Sequence, residues 1–358
     1  MALPHPHPNP MPTISFVIPT LNFAAFLPDT LESIVAEGYQ PIEIIVFDGG
    51  SSDNTLEVLE EYRHKFPTLK VIVATERGNI DIDINKAVAA ATGDYVWTVS
   101  ADDALMPGWS RIIVGLLENE KPDLLLVPAI HCDIRMQPRR NYPILKEIGS
   151  GPLTAVISND SDLLAYLDRV RTSEGLFSFC TACLVRRDRL SQLQVLEQAN
   201  GTCWRYAARL IAVLTAYPSK ITVLNAPLIH KRGDNDSFAH AGMIHRLRIA
   251  TLNWDEAIGS LSLNPRIRHA MLAVVKSDIR PLTLLYLSQF VRNREERAIY
   301  RACVDTRMGG RDGSVRPLGR ILKSIPRLAP LRKGMEITKT AVRLVQQRLW
   351  SAKLPSDS

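Results

Sequence analysis

Between Ile14 and Val99 short apolar runs alternate with amphipathic segments, and this alternation constrains the chain more than any single motif. Ile14–Ile18, Ile42–Phe47, Leu69–Ala74 and Tyr95–Val99 are rich in β-branched and aromatic residues and predict buried strands. Pro19 predicts the end of the first of them. Leu27–Ala36, Asp53–Phe66 and Ile80–Ala91 carry apolar residues at helical spacing. The first of these helices opens on Pro28 and Asp29, where a fixed φ and a negative charge suit an N-terminus. Strand and helix in regular turn imply an α/β fold, a mostly parallel sheet with right-handed crossovers and helices on its faces. Ligands of such sheets bind beyond the carboxyl ends of the strands. The chemistry is therefore expected at Pro19–Asn22, Asp48–Asp53, Thr75–Asp83 and Ser100–Asp103.

At 358 residues, with 46% hydrophobic and 22% charged residues, the chain supports one large globular domain or two ordinary ones. Five scattered cysteines suit buried thiols in a reducing compartment. Cys180 and Cys183 have the spacing of a redox or zinc half-site, but no second pair accompanies them, and strand core is the reading adopted. Residues 1–12, rich in Pro, His and Asn, lack the apolar stretch of a signal peptide and are read as a disordered lead-in. No run of 18 apolar residues occurs.

Asp102 and Asp103 stand side by side just past the Tyr95–Val99 strand. Two adjacent anions repel unless a cation is shared, and hard divalent cations such as Mg²⁺ or Mn²⁺ take carboxylate and phosphate oxygens. The alternative is a polar turn in which Asp103 caps the next helix. Asp48, at another strand tip, is followed by Gly49 and Gly50, which let a ligand approach the backbone, and then by Ser51 and Ser52. A base or ribose can be held there; a tight turn with an Asp cap explains the same residues. Neither Gly-x-Gly-x-x-Gly nor a phosphate-binding loop of the Gly-Lys-Ser/Thr kind is present, which argues against a dinucleotide site.

Four motifs in order, Ile18-Pro19-Thr20-Leu21-Asn22, Asp48–Thr55, Ala91–Tyr95 and Ser100–Asp103, make residues 13–130 resemble the family-two glycosyltransferases. The resemblance implies the GT-A fold and a nucleotide-sugar donor. By it Pro19, Thr20, Asn22, Asp48 and Gly49 line the donor pocket, Asp102 holds the donor, and Asp102 with Asp103 holds a divalent metal. Ile80–Val88, Phe179–Arg189, Gly201–Trp204 and Arg232–Phe238 are similar to the abequosyltransferase-like branch, which assembles bacterial O-antigen and related polysaccharides. That likeness adds Asp81, Asp83, Lys86 and Arg232 to the donor site and Trp204 to the acceptor side. Gly201–Tyr206, where many members of the family hold a catalytic carboxylate, has none.

Inverting transfer calls for a base that takes the acceptor's proton. Asp234 and Asp236 are the candidates, with Glu174 in reserve and His240 eligible by chemistry. The expected division is 13–245 for the transferase domain (13–130 nucleotide-sugar half, 131–245 acceptor half), 246–310 for a helical segment and 311–358 for a basic tail. That tail carries eleven Lys/Arg against three Asp/Glu among periodic apolar residues ending at Trp350. A basic amphipathic segment suits an anionic membrane surface, here the inner face of the cytoplasmic membrane, near a lipid-linked or glycan acceptor. Nucleic acid, the other partner of basic tails, would need a recognition module, and none is present. A non-catalytic sugar-nucleotide or glycan-binding protein and a nucleotidyltransferase are the alternatives to a glycosyltransferase.

Overall fold

The structure, a computed structural model, describes residues 11–309 apart from 41, 148, 192–196, 236, 237, 239 and 240. Asp236, His240 and the tail 311–358 lie outside the described residues, as does nearly all of the lead-in. The chain divides into two compact units, Met1–Arg280 and Pro281–Ser358.

The alternation read from the sequence builds the first half of unit one. Strands β1 (Ile14–Thr20), β2 (Ile42–Asp48), β3 (Leu69–Val73) and β4 (Tyr95–Thr98) are joined by helices α1 (Leu27–Val35), α2 (Thr55–Lys65) and α3 (Ile80–Ala89). They pair in parallel in the order β3-β2-β1-β4. β1 runs two residues further than predicted, through Pro19, which sits opposite Phe47 of β2. The missing N–H is tolerated because pairing with β4 has already ended at Val17–Thr98. All seven positions of β1 and most of β2 are buried, on both faces, as a doubly covered sheet requires.

Next come β5 (Ala104–Leu105), α4 (Trp109–Asn119), β6 (Leu124–Leu126), β7 (Ala129–Cys132), β8 (Pro138–Tyr142), β9 (Leu153–Ile157) and α5 (Asp160–Arg169). They are followed by β10 (Cys183–Arg186), α6 (Arg187–Ser191), α7 (Arg205–Ala216), β11 (Ser219–Val223) and β12 (Ile229–Lys231). β10 enters the sheet antiparallel to β4 and β6, and the full order is β3-β2-β1-β4-β10-β6-β11-β9. Cys183 lies in β10 as expected of a core thiol, and burial pushes its titration well up. A second, four-stranded sheet, β5-β12-β7-β8, begins at Ala104, directly after the aspartate pair, and brings β12 beside it.

Phe16, Trp97 and Trp109 pack with ring centroids 5.4–5.8 Å apart, joining β1, β4 and α4 into the core beneath the aspartates. Asp123, buried at the start of β6, accepts from Arg186 and Arg189 and from the Lys220 N–H, pinning β6, β10 and β11 together. Helical residues beyond 245 also belong to this unit. Helix α8 (Met243–Arg248), a π turn over Ile249–Asn253, α9 (Trp254–Gly259) and α10 (Pro265–Asp278) bury Trp254, Ile258, Ile267 and Met271 in the main core. The segment expected to begin at 246 is thus divided at Arg280.

Unit two contributes α11 (Pro281–Leu287) and α12 (Arg294–Met308). The Tyr300 hydroxyl of α12 donates to the Leu284 carbonyl of α11. Among the described residues no helix is long and apolar enough to cross a membrane.

Candidate active site

The tips of β1 and β2 are braced by their own polar side chains. Gly49 N–H donates to the Thr20 carbonyl at 2.9 Å, continuing the ladder. The fully buried Asp48 carboxylate accepts from Gly50 N–H at 3.0 Å, Ser51 N–H at 2.9 Å and the Ser51 hydroxyl at 2.5 Å. Gly50 has φ +94°, a conformation that explains the glycine. Asn22, itself left-handed, accepts from Ser52 N–H at 2.7 Å and from Asp53 N–H at 3.3 Å. Asp48 and Asn22 therefore shape the loop. Pro19 and Thr20 are buried beside them, and the Thr20 hydroxyl has no partner among the described residues.

Asp83 reaches this loop from α3. Its oxygens lie where a side chain on Gly49 or Gly78 would stand, and burial, opposed by Lys86 and aided by Asp48, pushes its titration up. Lys86 lies 5.8 Å from the Phe47 ring centroid. Asp81, two residues earlier, faces elsewhere. It accepts from Cys203 N–H at 2.9 Å and Arg205 N–H at 3.1 Å, capping α7 in place of a residue of its own chain segment. Asp81, expected at the donor, thus has both oxygens engaged at the start of α7.

At the end of β4, Asp103 is buried. It accepts from the Thr181 hydroxyl at 2.6 Å and from Arg232 N–H at 3.1 Å. Asp102 accepts from the Asn235 amide at 2.5 Å. Burial first, and then repulsion from Asp102, push the Asp103 carboxyl up to about 8; burial also raises Asp102. The segment Arg232–Asn235 is consequently bonded at both ends to the aspartate pair.

Arg232, expected at the donor, has its guanidinium committed within the protein. It donates to the Asp102 carbonyl at 2.9 Å, the Ile134 carbonyl at 2.6 Å and Asp29 at 2.6 Å, and lies 4.9 Å from the Phe26 ring centroid. The cation that acts on both aspartates from a half-open position is Lys231, which sequence reasoning missed. Lys231 closes the three-residue β12, a run too short for its alternation to be read from sequence. Lys231 Nζ stands 3.8 Å from the Phe179 ring centroid and 3.4 Å from Glu174. His131, also missed, has Nε2 3.6 Å from the same Glu174 oxygen and stacks on Tyr142 at 4.4 Å. Burial lowers its titration.

Glu174, the reserve candidate for the base, is 2% exposed and pairs with Lys231. Asp234 is left-handed (φ 63°) and exposed, pairing with Arg139 at 2.9 Å. Trp204 is half-buried. Its indole N–H donates to the Ile249 carbonyl in the π turn, and with Ser173, Ser178, Trp254 and Asp278 it lines a small cavity of about 70 Å³.

Among the described residues no three His, Cys, Asp or Glu side chains converge as a self-sufficient metal cage. The pair fits a divalent cation in another way. Two adjacent carboxylates, one of them bonded to the Asn235 amide, offer oxygen ligands to the cation and leave the remaining ligands to a phosphate-bearing molecule.

A parallel β3-β2-β1-β4 half, a mixed second half and an aspartate pair at the β4 tip define a glycosyltransferase of the GT-A fold. The chain belongs to glycosyl transferase family 2, whose family model matches residues 15–193. It is 28% identical over 240 residues to the abequosyltransferase RfbV of Salmonella typhimurium, covering 66% of this chain and 71% of that one. It is 34% identical over 117 residues to a PGL/p-HBAD biosynthesis glycosyltransferase of Mycobacterium tuberculosis, covering 32% of this chain and 45% of the relative. The crystal structure of S. aureus TarS 1-349 superposes with a TM-score of 0.57 at 15% identity, covering 95% of this chain and 92% of that one, a likeness of fold.

Proposed function

We propose that the enzyme transfers a sugar from a nucleotide-sugar donor to a hydroxyl of a glycan or lipid-linked acceptor in bacterial surface polysaccharide synthesis, inverting the anomeric centre. Asp102 and Asp103 would hold Mg²⁺ or Mn²⁺. The observation that carries this reading is the buried aspartate pair at the β4 tip, bridged by Arg232–Asn235. Relationship to an abequosyltransferase supports the acceptor class. When bound, the cation would supply Lewis-acid stabilisation of the leaving diphosphate.

This chain's own residues do the rest. Lys231 adds positive charge beside the pair, and Glu174 fixes it there. Asp234 accepts the acceptor's proton as the hydroxyl oxygen bonds to the anomeric carbon. The sugar–phosphate C–O bond breaks at the same time, and its electron pair leaves with the nucleoside diphosphate. The Asp234–Arg139 pair joins side chains 51% and 56% exposed. Such a pair contributes about 0–1 kcal/mol, so releasing the carboxylate for catalysis costs little.

Calorimetry with common nucleotide sugars is expected to show donor binding that requires Mn²⁺ or Mg²⁺ and is abolished by chelator, with an inverted product on transfer. Diphosphate release that depends on a nucleoside triphosphate would instead identify a nucleotidyltransferase.

The basic tail adds an anchoring role on the cytoplasmic membrane face. Removing 311–358 should release the protein from anionic vesicles and leave the transferase domain folded. Binding by the full chain should weaken between about 0.05 and 0.5 M salt as screening shortens. Equal sedimentation with neutral and anionic vesicles, or no loss on truncation, would refute the anchor.

A further inference from the structure

Asp83 and Asp48 sit at the same end of the sheet, but only one has a carboxylate to offer. Each hydrogen bond that the Asp48 carboxylate accepts from a described residue closes its own turn, through Gly50 N–H, Ser51 N–H and the Ser51 hydroxyl. Asp83 is 8% exposed, yet no described residue donates a hydrogen bond to it; Lys86 and Asp48 act on it through charge alone. A largely buried carboxylate that no described residue bonds is open to a donor brought by a ligand.

The surroundings are shaped for that carboxylate. A Cβ on Gly49 would stand 2.8 Å from one Asp83 oxygen, and a Cβ on Gly78 would stand 3.1 Å from the other. Both backbones approach because neither residue has a side chain. Thr20, 4% exposed on the adjoining strand tip, adds a second polar group without a partner among the described residues.

Resting on the transferase reading above, we propose that Asp83, and not Asp48, reads the nucleobase of the donor by accepting its N–H. The spacing supports this. β2 and β4 are two inter-strand steps apart in the order β3-β2-β1-β4, about 10 Å. That matches the reach of a nucleotide whose diphosphate lies at Asp102 and Asp103 and whose base lies toward β2 and β3. An ionised carboxylate only accepts, and Lys86 favours that form. It complements uracil, thymine or guanine, which present a ring N–H. The ring nitrogen of cytosine or adenine at that edge is itself an acceptor and faces the carboxylate unfavourably. Discrimination of this kind is strong because a mismatched base leaves a buried group unpaired.

The test is calorimetry of the full chain with UDP, GDP, CDP and ADP in Mn²⁺, comparing the parent with Asp83→Asn. The amide offers both a donor and an acceptor, so the UDP-to-CDP affinity ratio is expected to fall at least tenfold, with GDP-to-ADP moving the same way. If Asp83→Asn fails to fold, Gly78→Ala displaces the same carboxylate and must also change the ratio. An unchanged ratio, whether all affinities fall together or none does, overturns the assignment. A parent that binds no nucleoside diphosphate overturns the transferase reading along with it.

Discussion

Without divalent cation at pH 8, Asp103→Asn is expected to melt at a higher temperature than the parent, and with cation it is expected to bind nucleotide-sugar donor at least 100-fold more weakly. The stabilisation follows from burial. The Asp103 carboxyl moves from 3.8 to about 8 in the fold, so the native state holds a proton that the unfolded state has lost across that window. Its contribution is therefore complete below pH 3.8 and declines as pH rises toward 8, by something on the order of a few kcal/mol. Asn removes the titration and keeps the contacts: its carbonyl can accept from Arg232 N–H and its amide can donate to the Thr181 hydroxyl. Loss of donor affinity follows because a neutral amide is a poor ligand for a hard cation. Melting curves at pH 5 and pH 8 in chelator, with calorimetry in Mn²⁺, check both halves. Equal pH dependence in parent and variant would refute the first, and parental donor affinity would refute the second.

Asp234→Asn should slow transfer by about 10²–10⁴-fold while donor affinity stays within a factor of two or three, the usual loss when a general base is removed. The residue is exposed and its ion pair is a surface one, so folding should be unaffected. Single-turnover rates measured alongside donor titrations separate the two effects. A variant that transfers at the parental rate would exclude Asp234 as the base.

The first half of the fold was legible because its cues are local. Each strand and helix up to Val99 carries its own period, and each crossover is short. The second sheet was not, since β5 has only two residues and its partner β12 lies more than a hundred residues downstream. The same distinction holds in the site. Asp102 and Asp103 announce themselves as neighbours in sequence, and Asp48 as a strand-tip turn. Asp81 and Asp83 look alike in sequence, but two helical steps rotate a side chain by roughly 200°. One therefore caps α7 while the other lies against Gly49 and Gly78. Arg232 reads as a ligand-binding cation because no sequence pattern shows that Asp29 and two backbone carbonyls already occupy its guanidinium. Lys231 went unnoticed beside it.

The shell around Asp103 also has a temporal consequence. Its two donors, Thr181 and Arg232, lie 78 and 129 residues further along the chain. During synthesis the parallel β3-β2-β1-β4 half can emerge and dock while both aspartates remain hydrated, because nothing that buries them has yet been made. At roughly 5–20 residues per second, the wait from Asp103 to Arg232 lasts several seconds or more. The hydrogen-bonded enclosure of the aspartate pair is thus an outcome of the final docking of β10 and β12, and an N-terminal fragment ending before β10 would carry the two carboxylates without it.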